Sequence, residues 1–133
     1  MRDCRKRHRF VPTYNGNREA DAADQFAVVC HGLSPNTAIE LQQLRADAVA
    51  AEVDGRAERM VEAQRALVDA VRSRIAEVEG FGVTRGGELV EVKDPAEFVD
   101  AIDQDLFNEV MFFMASPVDE EDLANLGEPT SGT

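Results

Sequence analysis

A chain of 133 residues, 44% hydrophobic and 30% charged, can enclose the core of one domain and is short for two. Its 26 acidic residues against 14 basic ones leave a net charge of −12, which argues against broad binding to nucleic-acid phosphate. The longest apolar run, Val110–Ala115, has six residues where a membrane span needs about 20, and no apolar stretch of a secretory signal follows the early arginines.

The charge is unevenly placed. Residues 1–9 carry Arg2, Arg5, Lys6, Arg7 and Arg9 against Asp3, whereas Asp94–Thr133 holds eleven acids and neither Lys nor Arg. Opposite ends of this kind attract each other, or a neighbouring subunit, through a field screened over about 8–10 Å. Residues 1–9 read as a basic flexible arm, 10–126 as a single α+β domain and 127–133 as a flexible tail. Two cysteines, Cys4 and Cys30, permit at most one disulfide and fit a reduced, cytosolic setting.

In chain order, Phe10–Tyr14 reads as an edge strand or extended arm, because Pro12 has no amide hydrogen for a ladder. Asn15-Gly16-Asn17 is a turn, since both Asn and Gly tolerate positive φ. Arg18–Asp24 is a polar link. Gln25–His31 groups β-branched and aromatic residues as a strand does. Ser34 as N-cap and Pro35 at the first helical position then open a helix.

Over Pro35–Glu79 the apolar spacing is helical. One stripe is Ile39, Leu41, Leu44, Ala48, Val49 and Val53; the next is Met60, Gln64, Leu67, Val71, Ile75 and Val78. The stretch is one bent helix near 45 residues or two helices folded back at Asp54-Gly55, and the second reading is preferred. Val83–Val92, with Gly86-Gly87 inside it, reads as a small hairpin or a single strand. Asp94-Pro95-Ala96-Glu97 is a capping box that starts a helix through Ile102. Asp103 or Asp105 caps a further helix through Ala115, and Ser116-Pro117 starts a last short one ending near Leu126-Gly127. The expected fold is mainly α with a small β element, a helical hairpin packed with short C-terminal helices behind an extended N-terminal arm.

No catalytic signature emerges. Cys4, His8, Cys30 and His31 have the composition of a zinc set, but Cys30 and His31 are adjacent and point to opposite faces of a strand. Asp100, Asp103 and Asp105 share no helical face, and phosphate loops, dinucleotide fingerprints and nucleophile elbows are absent. No catalytic residue, metal site or cofactor is expected.

The unusual feature is Leu106–Met114, apolar around nearly the whole circumference of its helix. A surface helix of a small domain needs one stripe buried; this one needs cover on several sides. Phe107, Met111 and Met114 form one face, and Leu106, Val110 and Phe113 another. These six are either the core or a docking surface for a partner or an identical subunit, and Met and Phe suit adaptable apolar contact.

Two stretches carry a family resemblance. Arg9–Glu19 (RFVPTYNGNRE), followed by the strand Phe26–Cys30, resembles the opening of small assembly proteins of tailed bacteriophages, with its extended segment ending in Asn-Gly-Asn. Val83–Leu126, closing on Ser116–Leu126 (SPVDEEDLANL), is similar to the C-terminal half of tail assembly chaperone-type proteins. Together they span about half the chain. The resemblance implies a non-enzymatic chaperone or adaptor that binds an apolar helical partner, such as a tape-measure or tail-tube protein, in the host cytoplasm. The residues assigned to that contact on physical grounds are Leu106, Phe107, Val110, Met111, Phe113 and Met114. The alternatives are a minor structural protein of the virion, with Phe10–Tyr14 adding a strand to a neighbour's sheet, or a small acidic regulator or inhibitor.

Overall fold

The structure is a computed structural model that describes residues 1–2 and 5–116. Its first strand, β1, spans His8–Phe10 and pairs antiparallel with β2, Ala27–Cys30, which pairs antiparallel with β3, Ile75–Glu79. β2 is central in the order β1-β2-β3 and all four of its residues are buried. Between β2 and β3 lies a hairpin of two helices, α1 (Pro35–Asp54) and α2 (Ala57–Ser73). A separate hairpin of β4 (Gly82–Arg85) and β5 (Glu88–Glu91) precedes α3 (Pro95–Ala101) and α4 (Gln104–Ala115). The fold is thus mixed α+β and mainly helical.

Local signals set most of these boundaries. The Ser34 side chain accepts the Thr37 N–H at the start of α1, Asp94 accepts that of Glu97 at α3, and Asp103 accepts that of Leu106 at α4. α1 ends where Gly55 takes φ 68°, a left-handed conformation that glycine adopts without a Cβ clash. The chain therefore breaks into two helices there. Gly86 and Gly87, at φ 59° and 85°, supply the paired positive values of the β4–β5 turn.

Three expectations are corrected. The helical stripe through Val78 is not helix to its end: α2 stops at Ser73 and Ile75–Glu79 is β3. The spacing misleads because the register of β2 with β3 shifts between Val29 and Cys30, so that Val28 faces Val78 while Cys30 faces Ile75. This bulge brings Ile75 and Val78, three apart as on a helix, to the same buried side. The first strand also lies earlier than expected. It is His8–Phe10, ending before Pro12, and His8 and Arg9 belong to the sheet rather than to a basic arm over 1–9. Nor is Phe10–Tyr14 a free extended arm: Phe10 lies in β1, and Thr13 and Tyr14 are hydrogen-bonded to Glu109 and Asp103. The short helix expected after Ser116 and the tail at 127–133 lie outside the described residues.

Asn17 holds that N-terminal segment to the sheet. Buried, it donates from Nδ2 to the carbonyls of Pro12 and Phe26 and accepts the Phe26 N–H on Oδ1, all within 2.9 Å. Arg18 adds hydrogen bonds to the Val11 carbonyl. Asn17→Ala leaves three backbone groups without a protein partner, and is expected to lower stability by about 2–3 kcal/mol in urea unfolding, with an unchanged denaturant slope.

Candidate functional site

α4 is more apolar in sequence than α1 or α2, and the fold packs against it from several directions. The ring of Phe10 in β1 stacks on Phe113, with centroids 4.4 Å apart and planes 11° from parallel. His8 meets the same Phe113 edge-on at 6.4 Å. α1 and α2 pack along other sides. On a further side the N-terminal segment is clasped by two carboxylates of α4 and its cap. Glu109 accepts both the N–H and the hydroxyl of Thr13, at 2.8 and 2.7 Å, and Asp103 accepts the hydroxyl of Tyr14.

The six residues expected to meet a partner are therefore inside. Leu106, Phe107, Val110, Met111, Phe113 and Met114 are each 7% exposed or less, and all belong to the core cluster with Val28, Leu41, Leu67, Val71 and Phe98. They are brought together, as a core rather than as an outer face. The residue of this run that does look outward is Phe112, 46% exposed. A signal for it was present in the sequence: Asp105, Asn108, Glu109 and Phe112 stand at i, i+3, i+4 and i+7, so helical spacing puts Phe112 on the polar side of α4.

Phe112 belongs to a groove of about 390 Å³ between α1 and α4, floored by Leu41 and Met111 and walled by Ala46, Val49, Ala50 and Ala115. Arg45 reaches over the Phe112 ring, 4.5 Å from its centroid, as a cation–π cover. α1 contributes in an unusual way. Its buried face carries Thr37, Leu41, Ala48 and Ala51, while Ile39, Ala46, Val49, Ala50 and Val53 form a second apolar stripe that is exposed. Two of those valines and Ile39 were visible in the sequence only as members of a single helical stripe.

The residues weighed as metal ligands do not converge. Cys30 is buried in the core, its thiol pKa pushed up to about 12 by burial, whereas His31 is exposed and His8 lies on Phe113. Cys4 lies outside the described residues. Among the described residues no three His, Cys, Asp or Glu side chains come together as a metal site, and no helix is long and apolar enough to cross a membrane. The chain matches no protein-family model, no curated protein and no solved structure.

The clasp on α4 has a pH signature. Accepting from Tyr14 and from the Leu106 amide holds the Asp103 carboxyl below its usual range, and the same hydrogen bond, with the nearby negative charge, raises the Tyr14 phenol above 10. Asp103 thus supports the fold above about pH 4 and loses that contribution as pH falls through its depressed folded value. Tyr14 supports it below about pH 10 and loses that as pH rises through its elevated value. Tyr14 is the single tyrosine and there is no tryptophan, so its ionisation can be followed by absorbance near 295 nm. Asp103→Asn is expected to bring the Tyr14 midpoint back toward 10; an unchanged midpoint would mean that the Tyr14–Asp103 bond is not formed in solution.

Proposed function

We propose that this chain is a non-enzymatic adaptor of bacteriophage tail assembly, which receives an apolar helix of a tape-measure-like partner in the groove between α1 and α4. The observation that carries the reading is Phe112, a large aromatic left half-exposed beside the outer apolar stripe of α1. The similarity of Arg9–Glu19 and Val83–Leu126 to small tail-assembly proteins supplies the class of partner.

The groove has the form that a helix needs. The α1 stripe from Ile39 to Val53 covers 14 residue steps, about 21 Å at 1.5 Å per residue, which matches roughly four turns of a partner helix. A helix laid there would present residues at i, i+3, i+4 and i+7 to Phe112, Val49, Ala46 and Ala50. The small alanines permit close approach. Arg45 at the rim favours a carboxylate on the flank of the incoming helix, while the Met111 floor can adjust to different apolar groups. The buried face of α4 serves this site by holding Phe112 and Met111 in place.

The test separates the groove from the core. Phe112→Glu is expected to reduce capture of a tape-measure-like helical protein by tenfold or more, with circular dichroism and the urea midpoint retained. Met111→Glu places a charge in the core and is expected to unfold the protein instead. Undiminished capture by Phe112→Glu would remove the groove from the reading.

A further inference from the structure

The β4–β5 hairpin leaves the body as a strip of sheet two strands wide. At its base the Val92 N–H donates to the Phe81 carbonyl at 2.8 Å, and Val92 is buried. The Phe81 ring there meets those of Phe26 and Phe98 edge-on, at 5.2 and 4.9 Å. Beyond this anchor every residue from Thr84 to Glu91 is exposed, Leu89 to 78% and Val90 to 37%. Among the described residues no further strand lies against the outer edge of β4 or of β5. A two-stranded hairpin is marginal in water by itself, and an open edge is a template for another strand.

Register decides which backbone groups face outward. Arg85 pairs with Glu88 across the two-glycine turn, and Val83 pairs with Val90. In an antiparallel ladder, hydrogen-bonded and non-hydrogen-bonded pairs alternate. The Phe81–Val92 bond fixes the phase, so Phe81, Val83 and Arg85 bond inward to β5 while Gly82 and Thr84 turn their N–H and C=O groups outward. We propose that this edge of β4 pairs antiparallel with the same edge of a second copy of the chain, making a four-stranded sheet in the order β5-β4-β4-β5. A two-fold axis at Val83 sets Gly82 of each copy opposite Thr84 of the other, and every outward N–H of the two strands then finds a carbonyl.

The side chains suit that register. Val83 of one copy faces Val83 of the other in a non-hydrogen-bonded pair, where side chains approach most closely, and Val90 flanks each. One face of the sheet thereby gains a continuous row of valines. On the other face Leu89 already leans over Gly82, where a Cβ would come within 2.9 Å of its Cδ1, so it reaches toward Thr84 of the second copy. Charge selects this edge over the other. Pairing β5 with its own copy would put Glu88 and Glu91 of both chains on adjoining strands, and these repel. β4 brings only Arg85, which lies across the hairpin from its own Glu88. The glutamate-bearing β5 strands become the outer edges, so the assembly closes at two copies. Edges of four residues make a small interface, and the association is weak and concentration-dependent.

Sedimentation equilibrium of the full-length protein is expected to show a reversible monomer–dimer equilibrium between micromolar and millimolar concentration. Thr84→Pro removes one outward N–H from each strand, at a position where an edge strand tolerates proline. It is expected to weaken dimerisation at least about tenfold with circular dichroism retained. Phe112→Glu is expected to leave dimerisation unchanged, which separates this edge from the groove. In a Cys4→Ser background, with oxidised glutathione as electron acceptor, Val83→Cys is expected to form an intermolecular disulfide at least about tenfold faster than Glu88→Cys, because only position 83 meets its own copy. The proposal is overturned by a monomer throughout that range, by open-ended polymers, by a dimer that Thr84→Pro leaves as tight or Phe112→Glu abolishes, or by equal crosslinking at the two positions.

Discussion

The structure depends on the need to cover α4. Six of its twelve residues are buried apolar side chains on one arc of the helix, too broad for a single neighbouring element to cover. It is enclosed from several directions by elements distant in sequence. Phe10 stacks on Phe113 across 103 positions, and Thr13 meets Glu109 across 96. These long-range contacts make an N-terminal segment of one short strand and a 3-10 helical turn into part of the core wall. They also require polar ends: the carboxylates of Asp103 and Glu109 satisfy donors of the segment lying on α4, so the apolar surface can be closed without stranding them.

Enclosing α4 has two consequences for the surface. First, the one large apolar side chain of the helix left exposed is Phe112, beside a groove between α1 and α4. The exposed stripe of α1 continues that groove, so apolar surface that water would disfavour is concentrated in one place rather than scattered. Second, drawing β1 into the sheet fixes where the basic residues before it must lie. Arg5 and Lys6 come to rest by the start of α1 and Arg74, and Arg7 by His31 and Ile75. One packing requirement thus positions both the apolar groove and the basic residues of the N-terminus.

Much of the fold was legible in the sequence because its signals are local. Ser34-Pro35, Asp94-Pro95 and Asp103 each satisfy the first amides of a helix, and Asp54-Gly55 ends one, all within a few residues. The β3 strand was not legible. Ile75 and Val78 have helical spacing, and only the bulge opposite Val29 and Cys30 turns both toward the core. The candidate site was half legible: Leu106–Met114 stood out as too apolar for a surface helix, but its outward residue did not. Helical spacing nevertheless separates the two phenylalanines, since Phe112 shares a face with Asp105, Asn108 and Glu109 while Phe113 shares one with Leu106 and Val110. That Phe113 is met by Phe10, and Phe112 by a groove beside α1, is a matter of tertiary packing.

By itself, then, the amino-acid sequence determined the helix starts, the glycine turns, the division of charge between the two ends and the demand of α4 for cover on several sides. Tertiary structure alone decided that the cover comes from the chain's own first twenty residues and from α1 and α2. It also decided that residues 75–79 are strand, and that a groove remains at the surface. The division has a physical reason. Capping and turn formation involve atoms a few residues apart, whereas the enclosure of the broad apolar face of α4 depends on surfaces brought together from positions up to about a hundred residues away.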